Sequence, residues 1–560
     1  MALQRAAYST NIKTRLDFSC AIFDRSARLV AQSFSNPVHL GSMVHAVPQI
    51  LEEFGRDRVV AGDGILCNDG QLGGLHLNDI CVLAPVHRDG QLVAYVAAMA
   101  HHVDVGGGTP GSIGLFKEIY QEGLIIPPTR FMVDGRIDEN VFRLVLNNVR
   151  APRETGGDLR AQVAGVTIGS RRINELIDRY GIEPLDEAIE ELLNYAERRV
   201  RAEIELLPRG EFSAEGFLDN DGFTDEPIKV KVAVTIAADG VVFDLTGSDE
   251  QRPCPVNTTY SMAYSACAYA LRAIIPSDLP MNGGFYRVLT VIAPSGTVVN
   301  SRRPAAIGAG SETGARVCET AFRALAGTVP ERLAADSKGC MCNIGFGGIN
   351  PRDGAYFVFY EAQAGGYGAR ATKDGIDAIQ PHMQNTENSP VEETEANYPV
   401  RIVRYALIQD SEGAGRFRGG LGLRRDYAPE GGVTFSVLAD RAKFAPQGLL
   451  GGLPASKARF IRNPDTTPQS YPSKMSVSLA PGEVFSVEMA GGGGYGSPME
   501  RSEQSVLDDV LDEKVSLERA REVYGVVIDR ASRSVDMKAT ALQRGRLQAI
   551  ALKAAGRANK

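Results

Sequence analysis

The chain is expected to be an α+β protein of several domains. Three features predict this: a histidine-rich N-terminal stretch of short strands and tight turns, a helical middle, and a glycine-rich C-terminal half with short apolar runs. Its 560 residues exceed what one hydrophobic core supports, which points to about three to five domains. The expected divisions are a metal-bearing N-terminal region at 1–137, a helical region at 138–209, an α+β region at 210–344, a glycine-rich β region at 345–500 and a helical C-terminal tail at 501–560.

The elements follow in order. Residues 18–23 and 28–34 flank the polar Asp24-Arg25-Ser26 turn and read as a hairpin. Residues 80–87 and 91–100 flank Asp89-Gly90, a strong two-residue hairpin signal because both turn positions want positive φ. From Asp138 to about Leu207, apolar residues recur at helical spacing among Glu and Arg, and Pro208-Arg209-Gly210 ends that block. Strict alternation returns in Ile228-Lys229-Val230-Lys231-Val232-Ala233-Val234, a half-buried strand. Residues 260–275 and 313–326, the latter opened by Ser311, read as helices. The glycines between 345 and 496, including Gly419-Gly420-Leu421-Gly422 and Gly491-Gly492-Gly493-Gly494, read as close turns between strands. The last sixty residues read as a charged helical appendage at the periphery.

Composition excludes several classes. A hydrophobic share of 44% and a charged share of 23% are those of globular protein, not of a disordered chain, coiled coil or fibrous repeat. The formal charge of -8 offers no basic field to nucleic acid or anionic lipid, so neither is expected as a partner. The longest apolar runs, 80–86 and 92–100, fall far short of the roughly 20 residues of a membrane span. Arg5, Lys13 and Arg15 break up the N-terminus without an apolar segment, so no secretory signal is visible and a cytoplasmic location is expected. The 8 cysteines form no zinc-ribbon framework, and the one close pair, Cys340 and Cys342, reads as buried thiols.

Histidine carries the chemistry. Of the 7 in the chain, His39, His45, His76, His87, His101 and His102 all precede residue 103, and histidine is the commonest metal ligand and the readiest acid or base near neutral pH. With Asp89-Gly90 as a two-residue turn, Arg88 pairs with Gln91 and Asp79 falls opposite Ala100. Gly73-Gly74-Leu75-His76-Leu77-Asn78-Asp79 then meets Ala100-His101-His102-Val103-Asp104 at the open end of the hairpin, where opposed Cβ atoms lie within about 5.5 Å. Strict alternation would put His76 with His101 on one face and Asp79 with His102 on the other. His-x-x-Asp must therefore leave the regular strand for the three to converge, and the hairpin alone does not choose between His101 and His102. Mixed nitrogen and oxygen donors suit Zn, Mn or Fe better than Ca or Mg. No Gly-x-x-x-x-Gly-Lys-Ser/Thr phosphate loop and no Gly-x-Ser-x-Gly elbow occurs, so neither a Walker nucleotide site nor a hydrolase serine is supported.

Ordered motifs along nearly the whole chain are similar to the hydantoinase B/oxoprolinase family. They include Asp17-Phe18-Ser19-Cys20-Ala21, Val38-His39-Leu40-Gly41-Ser42-Met43, the two histidine segments above, Ile119-Tyr120-Gln121-Glu122-Gly123 with Ile126-Pro127-Pro128, Gly365-Gly366-Tyr367-Gly368-Ala369, Asn385-Thr386, Pro390-Val391-Glu392 and Arg418-Gly419-Gly420-Leu421-Gly422. The resemblance implies one subunit of a hetero-oligomeric, ATP-dependent enzyme that opens cyclic amides such as hydantoins or 5-oxoproline. A hydantoinase A-type subunit would bind ATP and phosphorylate the substrate, while this B-type chain carries a divalent transition metal. Family ligands carry over onto Asp17, His76, Asp79 and His101; His102 and Asp104 are candidates for orienting a ligand or moving a proton. The resemblance also admits the large subunit of an acetone or acetophenone carboxylase, and a scaffold subunit is a third reading. Two departures stand out. The family usually has a further helical turn before Leu3-Gln4-Arg5, and Asn68-Asp69-Gly70-Gln71 lacks the proline and aromatic residue common after Asn-Asp, which bears on the substrate more than on the metal.

Overall fold

A computed structural model describes residues 1–33, 36–276 and 278–558, with side chains described to residue 550. After two short helices, α1 (Ala2–Ala6) and α2 (Thr10–Lys13), the chain builds β1 (Phe18–Asp24), β2 (Leu29–Gln32), α3 (Pro37–Phe54), β3 (Gly64–Cys67), β4 (Asp79–Arg88), β5 (Gln91–His101), β6 (Thr129–Val133) and β7 (Arg136–Ile137). The strands form one antiparallel sheet in the order β2-β1-β5-β4-β3-β6-β7. The β1–β2 hairpin stands on its expected turn, although Phe34 of the expected second strand lies outside the described residues. Helix α3 occupies a stretch expected to hold strands and turns. Its signals are Pro37 at the first turn and the buried series Met43, Val47, Ile50, Leu51 and Phe54 at helical spacing.

The middle is helical, as expected: α4 (Glu139–Leu146), α5 (Pro152–Tyr180) and α6 (Ile182–Glu205), with Gly181 at φ 85° breaking α5 from α6. Helix α5 covers one face of the seven-stranded sheet, where Ile80, Val82, Ala98 and Ala100 meet Leu159, Val166 and Ile173. Helix α3 covers the other, where Cys81, Leu83, Ala97 and Met99 meet Met43, Val47 and Ile50. Even-numbered residues of β4, and of β5 from Ala94 onward, thus face α5, and odd-numbered ones face α3. This division decides which side chains can reach the open end of the β4–β5 hairpin.

The expected register of the β4–β5 hairpin needs one correction. Asp89 and Gly90 take φ 50° and 79°, Arg88 pairs with Gln91 and His87 with Leu92, but a bulge then shifts the ladder so that Val86 pairs with Ala94. Val93 is the extra residue, and Asp79 consequently faces His101 instead of Ala100. The displacement of one residue brings the carboxylate and the imidazole to the same face of the sheet.

A second sheet, β11-β10-β9-β8, uses β8 (Gly210–Leu218), β9 (Ile228–Ile236), β10 (Val241–Asp244) and β11 (Leu289–Ile292), with β10 and β11 parallel. In β9 the alternate residues Ile228, Val230, Val232, Val234 and Ile236 are buried, as the sequence pattern requires. Helix α7 (Tyr260–Ala273) packs on α3; α8 (Gly283–Tyr286) is a single turn; α9 (Gly310–Leu325), which begins one residue before Ser311, packs on β8 and β9.

From Asn343 onward two more sheets form. One is β13-β12-β16-β19, from β12 (Asn343–Ile349), β13 (Tyr356–Ala362), β16 (Val433–Leu438) and β19 (Lys474–Leu479). The other is β14-β15-β20-β17-β18, from β14 (Val400–Leu407), β15 (Leu423–Pro429), β17 (Arg459–Arg462), β18 (Gln469–Tyr471) and β20 (Phe485–Glu488); α10 (Val391–Asn397) precedes β14. Gly491 to Gly494 do not turn between strands, and none takes a left-handed φ. They run through the molecule with their amides and carbonyls bonded to other loops: Gly492 N to Gly420 O and Gly413 N to Gly492 O at 2.8 Å each, and Gly493 N to Asp336 O at 2.7 Å.

The C-terminal segment holds α11 (Glu503–Leu511), α12 (Leu517–Glu522), the hairpin β21 (Ile528–Asp529) and β22 (Ser534–Val535), and α13 (Met537–Ala558). Its first half is no loose appendage. Arg501 and Arg418 share Asp509, and the buried Glu412 receives bonds from Arg519 and Tyr524 at 2.6 and 3.1 Å. Among the described residues, no helix is long and apolar enough to cross a membrane.

Candidate metal centre

Asp79 is the hub of the candidate site. It opens β4 directly opposite His101, the last residue of β5, and its amide closes a turn onto His76 O at 3.0 Å, so His76 leaves the strand and folds back over the carboxylate. The loop before it bends at Gly73, at φ 91°, where a Cβ would lie 2.4 Å from Ala46 Cα; glycine lets this loop press onto α3. Asp79 Oδ2 is 2.7 Å from His76 Nδ1, and Asp79 Oδ1 is 3.1 Å from His101 Nδ1 and 3.3 Å from His39 Nε2. The rings of His76 and His101 meet edge to face at 4.9 Å. One ligand atom from each of His76, Asp79 and His101 falls within 4.8 Å of the others, and all three residues are buried.

The donor set fits a transition cation. His76 Nδ1, Asp79 Oδ2 and His101 Nε2 are buried and make no hydrogen bond, although His76 Nδ1 and Asp79 Oδ2 are in close contact. Buried polar atoms are normally paired, His101 Nε2 has no partner, and two imidazoles with one carboxylate form the mixed donor set that Zn, Mn or Fe accepts.

Asp17 stands beside the trio, outside its 4.8 Å grouping. Its Oδ1 accepts from Asn36 Nδ2 at 3.0 Å and lies 3.8 Å from His39 Nε2, and its backbone carbonyl accepts the His101 amide at 3.0 Å. His39, on the first turn of α3, thus bridges the two carboxylates. It was among the clustered histidines in the sequence, but no spacing argument tied it to the hairpin.

Neither His102 nor Asp104 reaches the trio. His102 has even parity in β5's continuation and points to α5, where Nε2 lies 2.9 Å from Gln162 Oε1; Gln162 in turn donates to Ile80 O and Ala98 O. Asp104 spends both oxygens on the following glycine turn, accepting from Gly106 N at 2.9 Å, Gly111 N at 3.0 Å and Arg150. His102 pins the sheet to α5, and Asp104 shapes the loop.

Electrostatics follow from burial and the carboxylates. Burial alone would raise Asp79, but His76, His101 and His39 outweigh it and hold the carboxyl well below its ordinary range. For His76, burial is outweighed by Asp79, Asp17 and Glu122, and the imidazole is raised; for His101, burial wins and the imidazole is lowered. Burial also pushes Glu122 up to about 8, only partly offset by the amides of Ile307 and Gly308, which donate to its Oε1 at 2.9 and 2.6 Å. Glu122 was quoted in the sequence only as part of a motif; its position on the His76 side of the site comes from tertiary packing.

The Glu122 shift has a sign that can be checked. Its folded pKa lies above the unfolded value of about 4.3, so the folded state keeps a proton that the unfolded state loses, and stability falls as pH rises from about 4.3 through about 8. In metal-free protein, Glu122→Gln should raise the melting temperature at pH 8 and leave it nearly unchanged at pH 4. A variant no more stable than wild type at pH 8 would show that the carboxyl is not protonated in the fold.

The sequence model of the hydantoinase B/oxoprolinase family matches residues 1–498. The chain belongs to that family. It is 39% identical over 549 residues to an uncharacterised protein of Methanocaldococcus jannaschii, covering 97% of this chain and 96% of that one. It is 33% identical over 543 residues to caprolactamase subunit beta of Pseudomonas jessenii, covering 94% and 93%. The crystal structure of that organism's ATP-dependent caprolactamase superposes with a TM-score of 0.90 at 30% identity, over 97% of this chain and 96% of that one. Nucleotide-free acetone carboxylase superposes with a TM-score of 0.91 at 20% identity, over 98% and 81%, which is a likeness of fold. The family match takes in His76, Asp79 and His101, α9 and the interleaved glycines, whereas α11 to α13 lie beyond it.

Proposed function

We propose that this chain is the metal-bearing subunit of an ATP-dependent cyclic-amide hydrolase, with Asp17, His76, Asp79 and His101 around a divalent Zn, Mn or Fe ion. The observation that carries this reading is the buried convergence of His76, Asp79 and His101, each of which offers a ligand atom within 4.8 Å of the others. Bound there, such an ion supplies Lewis acidity and an acidified water. Asp79 orients His76 and His101 from one carboxylate, and His39 holds that carboxylate from the α3 side. Burial keeps bulk water off these donors, so each electrostatic contact acts at low dielectric.

An amide resists attack because nitrogen donates into its carbonyl. Phosphorylation of the substrate by an A-type partner with ATP would weaken that donation and create a leaving group. The division of labour agrees with the absence of a Walker motif from this sequence. The relative named caprolactamase favours a lactam or imide ring over the ketone of an acetone carboxylase-type reaction. Product analysis with the A-type subunit, ATP and a panel of cyclic amides tests the reading. Release of an open-chain amino acid supports it, and ATP-dependent consumption of bicarbonate without ring opening overturns it.

His101→Ala tests the ligand assignment separately. It should abolish metal retention and ring opening while far-UV circular dichroism stays that of wild type. Full metal content with full turnover in that variant would reject the assignment.

A further inference from the structure

All members of the proposed ligand set precede residue 102, yet the side chain that fixes the ring of His101 comes from the far half of the chain. Tyr360, on β13, stacks its ring on the His101 imidazole with centroids 4.5 Å apart and planes 25° from parallel. Tyr360 is itself 4% exposed, and its hydroxyl donates to Asn343 Oδ1 on the neighbouring strand β12 at 2.7 Å. Asn343 Nδ2 in turn donates to Ser311 Oγ at the start of α9, at 3.1 Å.

A second arm closes the loop. The Arg15 guanidinium, fully buried, lies 5.5 Å from the centre of the Tyr360 ring. Its Nη1 donates to Asn11 Oδ1, and Asn11 Nδ2 donates to the His101 carbonyl at 2.6 Å. Arg15 also exchanges bonds with the Glu387 backbone: its Nε donates to Glu387 O at 3.1 Å, and its carbonyl accepts the Glu387 amide at 3.0 Å. The ring and the backbone of His101 are therefore gripped by one network whose parts come from residues 11–15, 343–360 and 387.

We infer that Tyr360 is a positioning residue for the metal centre, and that the glycine-rich C-terminal region, through Tyr360 and through the hold of Glu387 on Arg15, sets the orientation of the His101 ring. The physical basis is rotational. An imidazole at the end of a strand turns about χ2 in a broad well, and here one flat face is blocked by a ring anchored at both its hydroxyl and its π surface. Groups that orient a ligand without touching the ion typically govern 10–100-fold of metal affinity. The inference rests on the proposed metal site, and it makes that site the joint product of two regions distant in sequence.

The test is Zn2+ affinity of the full-length chain, measured by competition with a chromophoric chelator, with no substrate present. Tyr360→Phe keeps the stacked ring and should bind Zn2+ within about threefold of wild type. Tyr360→Leu fills the volume but has no flat face, and should bind about 10–100-fold more weakly while its circular dichroism and gel-filtration profile match wild type. Should Leu not fold, Tyr360→Met, an unbranched filler, is read in its place. A folded Leu or Met variant with wild-type affinity would overturn the role of Tyr360, as would a loss in the Phe variant equal to that in Leu. Wild-type protein that binds no Zn2+, Mn2+ or Fe2+ would instead sink the metal site itself, a distinguishable failure.

Discussion

Asp79→Asn should abolish metal retention and lower ring-opening activity by about a thousandfold or more, the loss expected when several kcal/mol of Lewis-acid stabilisation disappear at 1.36 kcal/mol per decade. The substitution is nearly isosteric, so it tests charge and donor pattern, not volume. Asp79 is completely buried and is approached by three imidazoles, from His76, His101 and His39. Asparagine would supply one acceptor and turn an NH2 toward a ring nitrogen that expects an anion or a cation. Removing one partner of a buried ionic set costs roughly 3–5 kcal/mol because the other groups are left uncompensated. Metal-free Asp79→Asn should therefore also unfold at lower denaturant near neutral pH. The pH window follows from the sign of the shift. The folded carboxyl titrates well below its unfolded value of about 4, so its contribution is present above pH 4 and is lost as pH falls below that value. Wild type and variant should converge in stability under acid and separate above about pH 4. Metal analysis and denaturation at pH 3 and pH 7 check both halves, and a variant that holds its ion and turns over normally would refute the hub.

His76, Asp79 and the His101-His102 pair are legible in the sequence because their contacts are local: a type of turn readable in Asp89-Gly90 brings two motif segments to one end of a ladder. The register differs from the expected one because a bulge leaves little trace in sequence; Val93 is an ordinary strand residue, and only the packing of both faces against α3 and α5 selects the shift. That one-residue shift also explains His101 over His102, since parity sends His102 to Gln162 on α5. His39, Glu122, Tyr360 and Arg15 were beyond the same reasoning for a different cause. Each reaches the site from another element, over separations that neither periodicity nor turn chemistry constrains. Alternation was enough for β9, where each buried face is continuous, and helical spacing was enough for α5 and α6. Pro37 and the apolar series of α3 mark a helix, but the strand patterns on either side dominate that stretch of sequence.

The glycine-rich half was legible as composition and misleading as structure, and Gly492→Ala shows why with a large expected effect. A Cβ built on Gly492 would stand 2.1 Å from Tyr367 O and 2.3 Å from Tyr367 C. These are backbone atoms that cannot rotate away. Tyr367 is held by its own amide, bonded to Ile376 O at 3.0 Å, and its carbonyl accepts from Gly420 N at 2.8 Å. Gly492 is held by Gly420 and Gly413 on the other side, so neither partner can retreat without breaking bonds in several loops. Overpacking in a yielding core costs about 1–3 kcal/mol; here the clash is between fixed main chains, and we expect roughly 4 kcal/mol or more, enough to prevent accumulation of folded protein. Gly419→Ala should behave alike, with its Cβ 1.7 Å from Gly492 O. Gly432→Ala is the control, because nothing lies within 4 Å of the position a Cβ would take and its φ needs no glycine; it should melt within a degree or two of wild type. The glycines of this segment are needed for the absence of a side chain, not for turning, and that requirement belongs to the neighbouring strands of backbone. Equal stability of Gly492→Ala and Gly432→Ala would mean that the loops are not interlocked as described.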